Sequence, residues 1–338
     1  MSAGMSMLMP AEWAPHDWLW IGFPGDPAEW PDALAQAQAQ VAAFANVVHA
    51  GGRGETVRLV ARTEEDAATA RALVDAGVEV TVTVFGDIWL RDTGPIATIA
   101  ATGDRALSGF GFNGWGGKFD MAGDQDIGAR LAANTGFPYR AFDLVCEGGS
   151  LDTDGTGLFV TTQQCLLNPN RNPSPDADAI RSVLAEALGL TDMLWLGDGL
   201  LNDHTDGHVD NLARFVAPGV LAVPQATTED DPNEFTYADA AARAIAFGLE
   251  VVRLPSVGHY EIDGDIAPAS YMNFLIANAA VVVPQYGAPN DTAAVEALRA
   301  LFPGREVVGV AGSALLRGGG SFHCCSQQMP SAGLPPHA

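Results

Sequence analysis

Basic residues are scarce in this sequence. Its 338 residues include 17 lysines and arginines against 41 aspartates and glutamates, which gives a formal net charge of −24 at pH 7. Proteins that bind nucleic acids or anionic membranes do so through basic surfaces, so the composition argues against both kinds of partner. An acidic surface attracts small cations, although an acid excess also serves solubility.

Long apolar runs and cysteines are scarce as well. No stretch approaches the roughly 20 apolar residues of a membrane-spanning helix. The N-terminal residues, MSAGMSMLMPAEW, have neither the basic start nor the long apolar run of a signal peptide. Four cysteines in so long a chain do not indicate a disulfide framework. We therefore expect a cytoplasmic protein with no membrane segment.

Apolar residues make up 48% of the chain, and helix and strand patterns alternate along it. Residues 31–50 are rich in alanine and glutamine and end at a glycine pair, which predicts a helix with a glycine stop. Thr63 and Asp66 have the spacing of a capping box at the start of a second helix. The strands predicted on either side of that helix cover residues 55–61 and 78–85.

The recurring unit along the chain is strand, strand, helix, strand, which predicts an α/β fold. The sequence shows neither a direct repeat nor a linker-like change of composition. We therefore expect one domain over residues 1–330. The last residues, 331–338, have the composition of a loose tail.

Chemically capable side chains cluster beside glycines in four segments. The segments are DIWLRDTGP at 87–95 with Trp89 and Asp92, CEGGSLDTDGTG at 146–157 with Glu147, NDHTDGHVDNLARF at 202–215 with Asp206, His208 and Asp210, and RGGGSFHCCSQQ at 317–328 with Gly319, Gly320 and Cys324. Glycine pairs usually mark turns. We interpret the four segments as parts of one site.

The segments recur at similar intervals. The intervals between Asp92, Glu147, His208 and Cys324 are 55, 61 and 116 residues, and the last is close to twice the others. A fifth segment is then expected near APASYMNF, residues 267–274. This spacing predicts a ring of similar modules, each of which donates residues to a central site.

The side chains in these segments suit attack on a guanidinium group. A cysteine thiolate is a nucleophile, and a histidine transfers protons near neutral pH. His208 and Asp210, two residues apart in a predicted strand, would point to the same face. The carboxylates of Asp92, Glu147 and Asp210 would repel one another without a cation. A planar guanidinium supplies that cation, because it pairs with carboxylates through two hydrogen bonds.

Other interpretations of these residues stay open. Free cysteines are most often buried packing residues, which is our interpretation of Cys146 and Cys165. A metal-dependent hydrolase would use the segment that contains His204, His208 and Asp210. A protein that binds a small cation without catalysis would carry the same side chains.

The longer motifs resemble the agmatine deiminase family of guanidino-group-modifying, pentein-fold enzymes, which is related to bacterial peptidyl-arginine deiminases. In chain order the motifs are MPAEWAPHDWLWIGFPGDPAEWP, WLRDTGP, FNGWGGKF, EGGS, CLLNPNRNP, DGHVDNLARF, ASYMNFLIAN and GGGSFHC. The resemblance implies a five-bladed pseudo-symmetric α/β propeller of ββαβ modules around a central site. It also implies hydrolysis of agmatine to N-carbamoylputrescine and ammonia, a step of putrescine biosynthesis, without a metal or an organic cofactor.

The resemblance also assigns catalytic roles. The nucleophile of the GGG-x-x-H-C motif falls on Cys324, which would form a covalent S-alkylthiouronium intermediate. In GHVD, His208 would be the general acid and base. Asp210 and Asp92 would hold the guanidinium, and Glu147 of EGG would orient His208 or the substrate.

The resemblance also indicates which residues would bind the substrate. Trp89 would cover the face of the cation, and Gly319 and Gly320 would let the backbone approach it closely. Asp206 lies in the stretch that would meet the far end of the substrate. The acid excess favours the amine tail of agmatine, and arginine or peptidyl-arginine remains the alternative.

Two positions depart from the family pattern, a second cysteine at position 325 and Ser321 where asparagine is common. Adjacent side chains of a strand face opposite ways, so the motif register selects Cys324 and leaves Cys325 for packing. A homodimer is compatible with the surface composition, and no local feature of the sequence identifies its interface.

Overall fold

The computed structural model of the protein describes residues 7–174 and 176–332. Of the predicted tail at residues 331–338, positions 333–338 lie outside the described residues. Within the described part of the chain, none of the helices is both long and apolar enough to cross a bilayer.

Five small sheets repeat one arrangement of strands, and we number them as modules 1 to 5. In each module two antiparallel strands are followed by a third strand that pairs in parallel with the second. The strands are Ser326–Pro330, His16–Gly22, Thr56–Ala61 and Glu79–Val82 in module 1; Ile96–Ala100, Arg105–Gly111 and Tyr139–Val145 in module 2, with Met7–Leu8 at its edge; Asp152–Thr153, Leu158–Thr162 and Asp192–Leu196 in module 3; Arg214–Ala217, Val220–Gln225 and Glu250–Pro255 in module 4; and Leu275–Ile276, Ala280–Gln285 and Glu306–Ala311 in module 5.

A long helix joins the second and third strands of each module. These helices are Leu34–His49, Asp124–Ala133, Ala177–Leu188, Glu234–Phe247 and Asp291–Leu301, and Glu64–Leu73 leads to the extra strand of module 1. The shorter elements are the helices Leu90–Thr93, Gly114–Gly117, Gln163–Leu166 and Ser313–Arg317, the 3-10 turns Ala50–Gly52, Gly148–Ser150, Val209–Asn211 and Tyr271–Asn273, and the hairpin of Glu261–Ile262 with Asp265–Ile266. The fold is therefore mixed α/β, as predicted, and is built from sheets of two to four strands.

The helix of module 1 shows how its sequence determines its position. Val41, Phe44 and Val48 recur at helical spacing, and all three are fully buried. The helix ends where Ala50 adopts a left-handed φ of 50°, which Gly51 continues at 62°. The predicted helix is confirmed, but its left-handed cap is Ala50, one residue before the glycine pair that was predicted to stop it. Phe44 stacks on Phe322 at 4.7 Å, so this helix also supports the turn that carries the two adjacent cysteines.

The strand predicted over residues 78–85 is shorter than expected. The structure forms a strand only over Glu79–Val82, and three of these four residues are exposed. The strand lies at the edge of module 1, paired on one side with Thr56–Ala61. Its alternating pattern therefore marks an edge strand that has little to pack against.

Each module is preceded by a segment that brings a polar side chain to one region. The residues are Asp92 before module 2, Glu147 before module 3, His208 and Asp210 before module 4, Asn273 before module 5, and Cys324 before the strand Ser326–Pro330 of module 1. The segment expected at residues 267–274 thus contributes Asn273. All five segments lie ahead of the first strand of a module, which explains their regular spacing.

Candidate active site

Cys324 is fixed in a buried turn just before the strand Ser326–Pro330. Nδ2 of Asn273 donates to Sγ at 3.0 Å, and Oδ1 of the same side chain accepts from the backbone N of Cys324 at 3.2 Å. Sγ donates to Oδ2 of Asp210 at 3.5 Å. The thiol is therefore held beside a carboxylate by a neutral amide.

A buried chain of hydrogen-bonded ionisable groups holds the carboxylate of Asp210. His323 bridges it to Glu12, with Nδ1 2.7 Å from Oδ2 of Asp210 and Nε2 2.8 Å from Oε2 of Glu12. Nη2 of Arg214 lies 2.8 Å from the same Glu12 oxygen. Burial disfavours charge on Glu12, but Arg214 and His323 hold its pKa well below the usual range. Burial likewise opposes charge on Asp210, whose pKa is nevertheless lowered by the hydrogen bond from His323.

His208 is fully buried between two carboxylates. Its Nδ1 lies 3.7 Å from Oδ1 of Asp92, and its Nε2 lies 3.9 Å from Oε2 of Glu147. Both distances are too long for hydrogen bonds, and neither ring nitrogen has a partner among the described residues. Burial disfavours the charged ring, but Asp92, with help from Cys165 and Glu147, raises the pKa of His208 well above its usual range. We therefore expect an imidazolium at neutral pH.

Asp92 is fixed by two donors from other segments. The backbone N of Gly149 donates to Oδ1 at 2.9 Å, and Nε1 of Trp115 donates to Oδ2 at 2.9 Å. Burial raises the pKa of Asp92 to about 6, with His208 opposing the rise. A Cβ added at Gly149 would lie 2.7 Å from both Oδ1 of Asp92 and Nδ1 of His208. A glycine at this position is therefore what lets the carboxylate and the ring meet.

Glu147 is fully buried and paired through only one of its oxygens. Nε of Arg171 donates to Oε1 at 2.7 Å, whereas Oε2 has no partner among the residues that the structure describes. Burial disfavours charge on Glu147, but His208 and then Arg171 lower its pKa. Glu147 therefore offers a carboxylate oxygen that is free to accept.

The nucleophile candidate is a thiol in the free protein. Burial, followed by the nearby charges of Asp210 and Asp92, raises the pKa of Cys324 well above its usual range. A cation placed between these carboxylates would oppose that effect. The site therefore favours a thiolate only when a cationic ligand is present.

Cys325 is separated from this group. Its Sγ donates to the backbone O of Phe322 at 3.5 Å, and it is fully buried in the hydrophobic core. Both cysteines lie in a turn, because the strand begins only at Ser326. The expectation that strand alternation separates them is wrong, since the turn does so instead.

His208 and Asp210 do not lie on a strand either. Val209–Asn211 forms a 3-10 turn, and the backbone N of Asn211 bonds to the O of His208 at 3.3 Å. Thr205 Oγ1 accepts from the backbone N of His208 at 3.1 Å, which fixes the start of the turn. The strand follows only at Arg214–Ala217. Both side chains still reach the site, from a turn rather than from one face of a strand.

Trp89 lies against the glycine run that leads to Cys324. A Cβ added at Gly320 would lie 2.7 Å from the Trp89 ring and 3.1 Å from Sγ of Cys324. Nε1 of Trp89 donates to Asp87 at 2.8 Å, and the ring lies 6.1 Å from that of Trp30. The indole is therefore held next to the thiol with one edge anchored.

A cavity of about 860 Å³ opens beside the same glycine run. Gly319 lines it at a left-handed φ of 105°, and an added Cβ there would lie 2.0 Å from the His204 ring. The carboxylates of Glu29, Asp87 and Asp265 also line the cavity. Burial raises the pKa of Glu29 to about 8 and that of Asp87 to about 7.

Asp206 is already paired with protein cations. Its Oδ1 accepts from Nζ of Lys118 at 2.6 Å, and its Oδ2 accepts from Nδ2 of Asn170 at 2.9 Å and from Arg171. Lys118 also donates to the backbone O of His204 at 2.6 Å. The structure therefore places Asp206 in the wall of the site, joined through Arg171 to Glu147, and not against Cys324.

His204, His208 and Asp210, which the sequence suggested as the ligands of a metal-dependent hydrolase, do not form one cluster of ligand atoms among the described residues. Asp210 pairs with His323, and among the described residues the group whose ligand atoms all lie within 4.8 Å is Glu147, Cys165 and His208. Cys165, interpreted as a packing residue, is buried but lies next to His208.

Several residues of the site were not predicted from the sequence. They are Glu12, Trp115, Gly149, Asn273 and His323. All five lie inside motifs that carried the family resemblance, and Asn273 also lies in the segment that the regular spacing predicted. The length of these motifs could have indicated further site residues, because a single catalytic residue does not need so many neighbours from the same motif.

Comparisons with known proteins identify relatives over nearly the whole chain. The model of the Porphyromonas-type peptidyl-arginine deiminase family matches residues 8–330. The agmatine deiminase of Stutzerimonas stutzeri is 38% identical over 96% of this chain and 95% of its own length. Among solved structures, an agmatine deiminase of Enterococcus faecalis has a TM-score of 0.89 and 31% identity, with 98% of this chain and 99% of that one covered. The agmatine deiminase of C. jejuni has a TM-score of 0.88 and 27% identity over 98% of each chain.

Proposed function

The chain belongs to the Porphyromonas-type peptidyl-arginine deiminase family, and from this premise we propose that it hydrolyses agmatine to N-carbamoylputrescine and ammonia. The observation that carries the proposal is the buried thiol of Cys324 held 3.5 Å from Asp210. Relatives named agmatine deiminase, with near-complete coverage of both chains, support this substrate over peptidyl-arginine.

The unpartnered atoms of the site suit a guanidinium. Oδ1 of Asp210 and Oε2 of Glu147 lack partners among the described residues. Buried carboxylate oxygens need donors, and a guanidinium presents five N–H groups in one plane. Asp92 and Asp210 would grip its nitrogens while Trp89 covers a face of the cation.

Binding of the substrate would activate the nucleophile. The guanidinium charge offsets the carboxylates of Asp92 and Asp210, which lowers the pKa of Cys324. The thiol proton is then released to solvent, the thiolate attacks the guanidinium carbon, and a tetrahedral adduct forms with a new C–S bond.

His208 would serve both halves of the reaction. As an imidazolium it donates a proton to one amino group of the adduct, the C–N bond breaks, and ammonia leaves. The neutral ring then takes a proton from water, which attacks the carbon of the S-alkylthiouronium. The C–S bond breaks and the ureido product leaves with the thiol restored. Glu147, 3.9 Å from Nε2, would orient the ring or the substrate.

The cavity favours an amine tail. Its lining includes Glu29, Asp87 and Asp265, whereas the lining cation Arg317 is paired with Asp263 at 2.9 Å. A bound ammonium would favour the charged forms of Glu29 and Asp87, whose pKa values burial raises, whereas a free carboxylate would find no unpaired arginine among the lining residues. This supports agmatine over arginine as the substrate.

We also propose that the five modules close into the five-bladed propeller that the family resemblance implies, within one domain over residues 1–330. Two observations support this. The strand Ser326–Pro330 pairs with His16–Gly22, so the end of the described chain completes module 1. A site segment also precedes every module.

Ammonia release from agmatine, arginine and a peptidyl-arginine, with product masses, tests the proposed function. We expect N-carbamoylputrescine from agmatine and much slower release from the other two, unchanged when EDTA is present. Agmatine binding without ammonia release would show a binding protein instead, and loss of activity on chelation would show the metal-dependent hydrolase.

A further inference from the structure

A second buried thiol lies beside the catalytic histidine candidate. Ligand atoms of Cys165, Glu147 and His208 lie within 4.8 Å of one another, and all three residues are fully buried. We propose that these residues form an inhibitory site for a thiophilic divalent cation, with Zn²⁺ as the best-matched ion. The inhibitory effect rests on the proposed function, because the ion would occupy His208 and Glu147; the binding site itself does not.

The donor set favours this ion. Zinc is bound by thiolate sulfur, imidazole nitrogen and carboxylate oxygen at about 2.0–2.3 Å, and thiolate disfavours Mg²⁺ and Ca²⁺. The three donors therefore need to move inward only slightly to share one ion. A water molecule would complete a four-coordinate site.

Unsatisfied atoms supply the second observation. Oε2 of Glu147 and both ring nitrogens of His208 have no hydrogen-bond partner among the described residues. Buried polar groups without partners are unfavourable, so a metal ion that engaged Oε2 of Glu147 and one ring nitrogen of His208 would remove part of that penalty. Substrate would use some of the same atoms, so the ion and the substrate would compete.

The surroundings hold the thiol in place. Cys165 lies in the short helix Gln163–Leu166, where its backbone N donates to Oγ1 of Thr162 at 3.3 Å. Arg171 opposes a cation, but it engages Oε1 of Glu147 and leaves Oε2 free. Asp92, 3.7 Å from His208, adds a compensating negative charge. Binding would release two protons to solvent, the thiol proton of Cys165 as the S–Zn bond forms and one ring proton of the His208 imidazolium as the N–Zn bond forms.

The binding test removes the nucleophile first, because Cys324 could also bind a metal. In a Cys324→Ala background, Zn²⁺ affinity is measured by equilibrium dialysis, and Co²⁺ is used as a probe for thiolate-to-metal charge-transfer absorption. We expect one ion per chain and the thiolate band. Cys165→Ser or Cys165→Ala should remove the band and weaken Zn²⁺ binding by at least about tenfold, since even second-sphere changes have effects of that size.

Cys146→Ala is the matched control, because Cys146 is also a buried thiol near Glu147 but is not in the group of three. It should keep both the affinity and the band. Equal Zn²⁺ affinity with and without Cys165, in folded variants checked by circular dichroism, would overturn the proposal. Two Cys165 variants are used so that a folding defect in one does not decide the result.

The activity test uses the protein with Cys324 intact. After incubation until the rate is constant, Zn²⁺ should inhibit ammonia release, and EDTA should restore it. The inhibitory concentration should rise at least about tenfold in whichever Cys165 variant is active. Active protein whose Zn²⁺ inhibition does not depend on Cys165 would contradict the site. Protein that binds Zn²⁺ through Cys165 but releases no ammonia from agmatine would contradict the proposed function and leave the site standing.

Discussion

Gly149 lies where a side chain would displace the carboxylate of Asp92 and the ring of His208. Gly149→Ala would place a Cβ 2.7 Å from Oδ1 of Asp92 and from Nδ1 of His208. Because displacement of about 1 Å lowers rates by about 100-fold, we expect kcat/KM to fall on that order. Overpacking should also lower the free energy of unfolding by about 1–3 kcal/mol.

Gly304→Ala is the control for this change, because nothing lies within 4 Å of an added Cβ there. Steady-state ammonia release and urea unfolding are measured for both variants. We expect Gly304→Ala to match the unchanged protein. A Gly149→Ala variant with full activity would show that the close contact among Asp92, His208 and Gly149 is not required.

The pKa of Asp92 should determine how kcat/KM for agmatine falls at acid pH, the acid limb of the pH profile. Burial raises its pKa from 3.8 to about 6 in the folded protein. Below that pH the carboxylate is protonated and loses its grip on the guanidinium, so kcat/KM for agmatine should fall as pH drops through about 6 and level off above it. Initial rates from pH 5 to pH 8, about the interval over which such a group titrates, measure this limb.

The Trp115→Phe variant tests whether the fall of kcat/KM at acid pH is due to protonation of Asp92. The hydrogen bond from Trp115 lowers the pKa of Asp92, so its removal should move the limb to higher pH. A limb that stays in place in this variant would assign it to a group other than Asp92.

At the residue scale, the sequence predicted which side chains form the candidate site better than it predicted the side chains that hold them in place. His208 and the carboxylates could be chosen from residue type and spacing, whereas the motif register of the family resemblance was needed to choose Cys324 over Cys325. Asn273 and His323 could not, because an asparagine beneath a thiol and a histidine bridging Glu12 to Asp210 depend on long-range contacts. Cys165 was assigned to packing because burial is the commonest fate of a free cysteine, and only the fold shows its neighbour.

The helix Glu64–Leu73 begins with the cap that the sequence predicted. Oγ1 of Thr63 accepts from the backbone N of Asp66 at 3.1 Å and donates to Oδ2 of Asp66 at 2.7 Å. Thr63→Ala removes both bonds and should lower the free energy of unfolding by about 1 kcal/mol. Urea unfolding measures this change.

Thr69→Ala lies in the same helix and is the control. Thr69 bonds only to the carbonyl of Glu65 within the helix, and alanine is the better helix former. We expect its stability to stay within about 0.5 kcal/mol of the unchanged protein. Equal losses in the two variants would mean that the cap is not what stabilises the helix.

Long elements were predicted better than short ones. The helix Leu34–His49 and the strand Thr56–Ala61 follow from periodicity, a glycine stop and alternation. The turn Val209–Asn211 did not, because its hydrogen bonds to Thr205 and His208 override the strand-like pattern around it. The candidate site residues of this chain lie mainly in such turns, where local patterns carry little information.

The net charge of −24 acts on the whole molecule. Self-repulsion is greater in the compact state than in the expanded chain, and salt screens it. The midpoint of thermal unfolding should therefore rise as NaCl increases from about 0.01 to 0.15 M. An uncharged osmolyte at matched osmolality should give a smaller rise, and a midpoint that falls with NaCl would indicate that ion pairs outweigh the repulsion.

The most direct test of the account compares Cys324→Ser with Cys325→Ser. Ammonia release from agmatine is measured together with the intact mass of each protein during turnover. The account predicts a covalent amidine adduct and full turnover in Cys325→Ser, and neither adduct nor ammonia in Cys324→Ser, which should still bind agmatine. Ammonia release by Cys324→Ser at the rate of the unchanged protein would contradict it.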